Sequence, residues 1–554
     1  MPEKQKIYDL IWPEITDWPI WKMHKNRAAF VKEVEEITLR RIMTKKPSRV
    51  TDIIAKTIYS EKIRCKNEPW KVDPPNEYQF WSRLQKKLQA QSVDKPEEEA
   101  RIANEEILKQ IIHRYAEEIV GTFKKKTFLF ARKFLTFLFT KLLNTAAERN
   151  LKRIWGGKRR LYDKMIVQGE VEKLRSLITK GTVVLTPTHS SNLDSILIGY
   201  AMDTIVGLPA FIYGAGLNLY NFGPAAYYMN RLGAYRVDRR KKNRIYLETL
   251  KMVSQLSVEH GTNNLFFPGG TRSRSGEIEQ KLKMGLLGTT IDAQMETLKK
   301  GKDNKVFVVP IVLGYHFVLE AQHLIEQHLR KIGKEQYFVT KDASYSFRRI
   351  IKFIWQLFST SNEIYLSIGQ PMDVFGNHVN AEGESFDKYG NKLELKDYFR
   401  QGDGLTTDYQ RNSQYTKSLA DSIALQFKRD NIVLSSKLLA FTAFELLQRE
   451  YKSLDLFALL RLPEEDVVFE KEKLLQTIAK VRDTILELEA AGEIKVSSVI
   501  RGSAEDIFND GIEKLGSFHV KRPLMVNKKG QIISQSLKIL YFYHNGLEGY
   551  GISV

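Results

Sequence analysis

The stretch TVVLTPTHSSNLDSILIGYAM places His189 five residues before Asp194. An imidazole with one ring nitrogen held by a carboxylate keeps the other free to take a proton near neutral pH, so the pair reads as a general base and its orienting partner. Further on, NLFF runs into PGGTRSRSG. There Gly269 and Gly270 permit backbone shapes that expose N–H groups, while Arg272 and Arg274 add rigid cationic forks, a combination suited to a phosphate. Between the two lies NRLGAYRVDRRKKNR, whose Arg239, Arg240, Lys241 and Lys242 fit either an anion site or a basic turn facing solvent. In VFVVPIVLGYHFVLEA, Pro310 sits near the middle of an apolar strand. A proline there predicts an edge or a bend, and hence a pocket wall rather than a reacting group.

Other chemistries find little support. No Gly-Lys-[Ser/Thr] occurs, and the GAG at Gly214 to Gly216 lacks the third glycine of a dinucleotide fingerprint. Ser190 and Ser191 stand beside the histidine without a G-x-S-x-G elbow. His323 and His328 are five apart, which misses the i, i+4 spacing of a helical metal pair. No metal or cofactor is expected. A single cysteine, Cys65, excludes an intramolecular disulfide and suits a reducing compartment.

These residues need a scaffold. At 554 residues, with 43% hydrophobic, 27% charged and 11% aromatic side chains, the chain reads as globular with two or three domains. Residues 1–165 show helical spacing. Residues 166–375 alternate short β-branched runs with helical patterns, which predicts an α/β domain with a mostly parallel sheet flanked by helices. Residues 376–408 are polar and glycine-rich and read as an irregular insertion or linker, and residues 409–554 return to helical periodicity. Val183, Val184 and Leu185 read as a buried strand, Asn192 is a candidate cap for the next helix, and His189 falls just past the carboxyl end of that strand. Ligands of open α/β sheets bind there.

Lys+Arg exceed Asp+Glu by 86 − 66 = 20, so the surface should attract anions: a nucleic acid, an anionic lipid or a phosphorylated substrate. The opening MPEKQKIYDLIWPEITDWP lacks a signal-peptide core, so a cytoplasmic location is expected. The run TFLFARKFLTFLFTKLL is broken by Arg132, Lys133 and Lys141 and is too short to span a bilayer. As a helix it would gather Arg132, Thr136 and Thr140 on one face and leave Phe130, Phe134 and Phe137 for a membrane surface, after the lysines at 124–126. RRIIKFIWQLF, with Trp355, has the same mixture.

The four blocks, strand-H-x-x-x-x-D, G-x-x-x-x-x-R from Gly233 to Arg239, F-P-x-G-T-R-S and V-P-I, occur in an order more specific than any one of them. The chain resembles the glycerolipid acyltransferase superfamily, and within it most the bacterial glycerol-3-phosphate acyltransferases, through residues 181–320 and the phrases PIVLGYHFVLEA and YHNGLEGYGI. The resemblance implies that His189 is the base, Asp194 its partner, and Arg239, Gly270, Arg272 and Arg274 the holders of the substrate phosphate. It implies a fatty acyl thioester of acyl carrier protein or coenzyme A as donor. It also implies glycerol 3-phosphate as acceptor, a peripheral position on the cytoplasmic face of an anionic membrane, and no nucleic acid. Lysophosphatidate or dihydroxyacetone phosphate are alternative acceptors, and a non-catalytic nucleic-acid-binding protein is the rival from another class. Two positions depart from the family pattern: Gly269 stands where many relatives have Glu, and Asp238 where the glycerol-3-phosphate subgroup commonly has Arg.

Overall fold

The computed structural model describes residues 5–70, 72–90, 96–147, 164–217, 223–333, 363–402, 404–464, 467–517 and 519–554. Its centre is a seven-stranded sheet: β1 Met165–Gly169, β2 Gly181–Pro187, β3 Ile212–Gly216, β4 Ala234–Val237, β5 Asn264–Leu265, β6 Lys305–Gly314 and β7 Ile364–Ile368, in the order β1-β7-β6-β2-β5-β3-β4. Every neighbouring pair is parallel except β6 with β7. β2 and β6 are buried along nearly their whole length, as their unbroken β-branched runs require when helices cover both faces. The expected mostly parallel α/β architecture is therefore present.

Pro310 departs from expectation. It lies inside the sheet, opposite Thr186 of β2, and is buried. The missing N–H is tolerated because β7 leaves the ladder at that point: Ile311 pairs Ile368, Gly369 donates to the Pro310 carbonyl at 2.8 Å, and the chain rejoins only at a Val308–Met372 bridge.

Long helices precede the sheet, among them Arg27–Met43, Pro47–Asn67, Glu77–Gln89 and Glu97–Ile119. They are bolted to the turn after β4 by a buried ion-pair network. Arg240 pairs Asp238 at 2.7 Å and also Asp73, while Lys241 pairs Glu118 at 2.6 Å and Glu77 at 3.5 Å. Half of the basic run thus faces inward. Asp238, the departure from the subgroup pattern, is 1% exposed and holds Arg240 through both carboxylate oxygens.

Residues 376–408 are not an irregular linker. Strands His378–Val379, Ser385–Phe386 and Lys392–Leu393 form a small antiparallel sheet, joined to the main one through Met372. The cause is a turn repeated at seven-residue intervals: Asp373, Asn380 and Asp387 each accept backbone N–H groups two and four residues on, with Gly376, Gly383 and Gly390 at positive φ. The C-terminal part is mainly helical (Tyr409–Asp430, Ser435–Glu450, Lys471–Ala490, Ala504–Lys514, Leu537–His544) and adds two small sheets. It packs on the main domain, where Asn545 Nδ2 donates to the Ser275 carbonyl at 2.9 Å and the Val318 N–H to Tyr543 Oη at 2.9 Å.

Candidate active site

β2 ends at Pro187, and Thr188 N still donates to the Ile311 carbonyl at 2.9 Å, so the position of the next residue is set by the sheet itself. That residue is His189. The Asp194–Thr204 helix follows, and Asp194 at its first turn reaches back into the loop. Its Oδ2 lies 2.9 Å from His189 Nδ1 and accepts the N–H groups of Ser190 at 2.7 Å and Ser191 at 2.9 Å. Its Oδ1 accepts the Tyr315 hydroxyl at 2.7 Å. Asp194 is fully buried, and such a charge is tolerable because four donors surround it.

With Nδ1 committed to Asp194, Nε2 is the ring nitrogen left for a substrate. The ring stacks on Phe267, centroids 4.0 Å apart, which limits its rotation. Asn192 does not cap the helix. Leu193 precedes it without a side-chain bond, and the Asn192 N–H instead donates to Glu320 Oε1 at 3.2 Å.

The third block closes over this loop. Ser273 N donates to the His189 carbonyl at 2.7 Å, and Gly270 sits at φ 74°, where a side chain would be strained. The carboxyl of Glu279 accepts the His189 N–H at 3.1 Å. Burial, the largest influence, pushes that carboxyl up to about 8, so it is mostly protonated at pH 7. Arg272 points to a buried acid: its guanidinium is 3.1 Å from Glu320 Oε1, and Glu320 also accepts the Ser191 hydroxyl at 3.0 Å. Arg274 and Arg239 are exposed.

A cavity of about 40 Å³ adjoins the histidine, lined among others by Thr188, His189, Ser273, Glu279, Lys437 and Tyr543. Arg239, Gly270, Arg272, Arg274 and Pro310 do not line it. The sequence reading missed Tyr315, Glu279, Glu320 and Lys437. Tyr315 and Glu320 were within reach, because they lie in the same VFVVPIVLGYHFVLEA block as Pro310. Lys437 carried no signal, since it comes from a helix more than 200 residues from the histidine in sequence. Among the described residues, no group of three His, Cys, Asp or Glu side chains is placed to hold a metal ion.

The Lys125–Ala147 helix lies against the domain through Phe128, Leu129 and Leu135 together with two polar side chains. Arg132 pairs Asp203 at 2.6 Å and Thr136 Oγ1 is 3.0 Å from Tyr200 Oη, while Phe130, Phe134 and Phe137 are exposed. The side chain of Thr140 and all of Trp355 lie outside the described residues. No described helix is long and apolar enough to cross a membrane.

Residues 168–314, which include both members of the pair, match the acyltransferase family model. A glycerol-3-phosphate acyltransferase of Haemophilus ducreyi is 30% identical over 230 residues, 41% of this chain and 26% of that protein. Others from Aeromonas hydrophila (27% over 288 residues, 52% and 31%) and Pasteurella multocida (28% over 257 residues, 46% and 29%) are similar. The matches span between a quarter and a third of the length of these curated relatives. The segment that carries His189 and Asp194 thus matches the acyltransferase family model, and around it this chain is similar to bacterial glycerol-3-phosphate acyltransferases.

Proposed function

We propose that this chain transfers a fatty acyl group from a thioester of acyl carrier protein or coenzyme A to the sn-1 hydroxyl of glycerol 3-phosphate, giving 1-acyl-glycerol 3-phosphate. One observation carries the reading: a histidine just past the end of a sheet strand has Nδ1 held 2.9 Å from a fully buried aspartate, and the residue lines a cavity. His189 Nε2 takes the hydroxyl proton as the oxygen attacks the thioester carbonyl, and Asp194 fixes the ring and stabilises the imidazolium. A thioester is already activated, so base catalysis and positioning suffice and no acyl-enzyme is needed. The acceptor phosphate is assigned to Arg239, Gly270, Arg272 and Arg274. Acyl chains and product belong to a bilayer, which suits peripheral attachment through Phe130, Phe134, Phe137 and Trp355 on the cytoplasmic face.

The test is release of free thiol from an acyl thioester, with acceptors offered one at a time. Thiol release dependent on glycerol 3-phosphate, lowered at least ~10²-fold by His189→Ala and by Asp194→Ala in folded protein, is the expected result. Dependence on lysophosphatidate or dihydroxyacetone phosphate instead would reassign the acceptor. Activity that survives His189→Ala would end the base assignment.

A further inference from the structure

Lys437 belongs to the Ser435–Glu450 helix of the C-terminal part, yet it lines the cavity beside His189. Its Nζ donates to Asn431 Oδ1 at 3.2 Å. Asn431 is itself fully buried and fixed through Nδ2 to the Gly546 carbonyl at 3.1 Å and Tyr550 Oη at 3.2 Å, so its oxygen is held for the lysine. Among the described residues no carboxylate forms an ion pair with Lys437. Asp510, on the neighbouring helix, is taken by Lys514 at 2.7 Å and by Ser435. Burial pulls the Lys437 ammonium down to about 8, which leaves it mainly charged at pH 7. A half-buried cation that no carboxylate pairs is a ready receptor for an anion that forms during a reaction.

The proposed transfer creates such an anion. The acceptor oxygen bonds to the carbonyl carbon, the carbonyl π pair moves onto its oxygen, and the hydroxyl proton goes to His189. Collapse restores the carbonyl and breaks the carbon–sulfur bond, and the departing thiolate takes the proton back from His189. Only between these steps does the former carbonyl oxygen carry a full charge. The cavity of about 40 Å³ that Lys437 and His189 both line has room for a few waters, and so for a small polar group beside the base. We propose that Lys437 is the cation that stabilises this oxyanion, so that the C-terminal part completes the active site. The assignment rests on the acyl-transfer reading.

The experiment uses the full chain, with the wild type read first. Lys437→Met is expected to lower kcat by about 10²-fold, the loss typical of one oxyanion donor, with KM for glycerol 3-phosphate changed less than about threefold. Its Tm should be unchanged or raised, because a neutral side chain of similar length replaces an uncompensated charge. In Lys437→Ala, added propylammonium should restore turnover, and propanol, neutral and of similar size, should not. If wild type releases no thiol with glycerol 3-phosphate, the acyl-transfer reading fails and takes this assignment with it. If wild type is active and Lys437→Met keeps its kcat, the lysine assignment alone falls. A rise confined to KM would make Lys437 a phosphate ligand instead. A drop in Tm with no rescue by propylammonium would make its role structural.

Discussion

Glu279 Oε2 lies 2.5 Å from the point where a Cβ on Gly269 would stand, while its Oε1 accepts the His189 N–H at 3.1 Å. A side chain at 269 and a carboxyl from 279 therefore compete for one space beside the base. Gly269 is not at positive φ, so it is the occupant and not backbone strain that keeps the position small. The carboxyl that fills the space beside Gly269 comes from ten residues further along the chain.

Gly269→Glu alone should therefore be damaging, since it overpacks the site and sets two carboxyls together, at a cost of about 1–3 kcal/mol. Gly269→Glu with Glu279→Ala should recover much of that. A double-mutant cycle on Tm or urea unfolding measures the coupling, expected at 1 kcal/mol or more in the recovering direction, roughly the scale for residues in contact. Additive effects would show that the two positions do not share the space.

Glu279 also sets a pH dependence. Its carboxyl is pushed up to about 8, chiefly by burial, whereas in the unfolded chain it titrates near ~4.3. Between those values the folded protein holds a proton that the unfolded chain has released. This contribution is present at low pH and is lost as pH rises through about 8. Glu279→Gln cannot ionise and keeps an acceptor for the His189 N–H. Its stability relative to wild type should climb from pH 5 to pH 9, by on the order of 2–4 kcal/mol. Parallel unfolding midpoints for the two proteins across that range would contradict the buried acid.

The two arginines of the third block should separate. Arg272 is 3.1 Å from Glu320, which is 2% exposed, so Arg272→Ala leaves a buried acid uncompensated and should cost stability, roughly 3 kcal/mol or more. Arg274 is exposed, and Arg274→Ala should leave Tm within a degree or two. If Arg274 holds the acceptor phosphate, the same variant raises KM for glycerol 3-phosphate about 10–150-fold, the worth of a charge-assisted contact. Arg272→Gln with Glu320→Gln, which removes both charges, tests whether the stability loss is the unpaired acid. Equal Tm losses for the two alanine variants would refute the distinction.

What the sequence disclosed and what it concealed follow one physical line. The strand before His189, the parallel sheet and the carboxylate five residues on are local patterns, set by β-branched runs and by the reach of a turn. The interior of the site is non-local: Tyr315 arrives from just past the end of β6, Glu279 from beyond the glycine turn and Lys437 from the C-terminal part, and no spacing links them to His189. The basic run Arg239 to Lys242 looked uniform in sequence. Its division into an exposed pair and the inward-facing Arg240 and Lys241 depends on Glu77 and Glu118 of the N-terminal helices and on Asp73 in the turn between two of them. Residues 376–408 misled because composition suggests a loop, whereas the Asx turns at Asp373, Asn380 and Asp387 specify hairpins.

The Lys125–Ala147 helix offers the last prediction. Its polar side chains Arg132 and Thr136 are spent inward on Asp203 and Tyr200, beside Phe128, Leu129 and Leu135 that pack on the cores, so both polar and apolar groups hold it to the domain. Outward stand Phe130 at 53% exposure, Phe134 at 47% and Phe137 at 60%, the first two stacked with centroids 6.2 Å apart. Contiguous exposed aromatics of this kind mark an interaction surface, and Lys124, Lys125 and Lys126 beside them favour an anionic one. Because these rings already face solvent, replacing them should leave the fold intact. Phe134→Glu with Phe137→Glu should keep the wild-type Tm and reduce co-sedimentation with phosphatidylglycerol-containing vesicles at least ~10-fold, since two apolar insertions worth more than ~1 kcal/mol each are lost and two negative charges are added. Raising salt should weaken wild-type binding through the lysines, and neutral phosphatidylcholine vesicles should bind less. A double variant that folds and still sediments with anionic vesicles like wild type would remove this helix as the membrane contact.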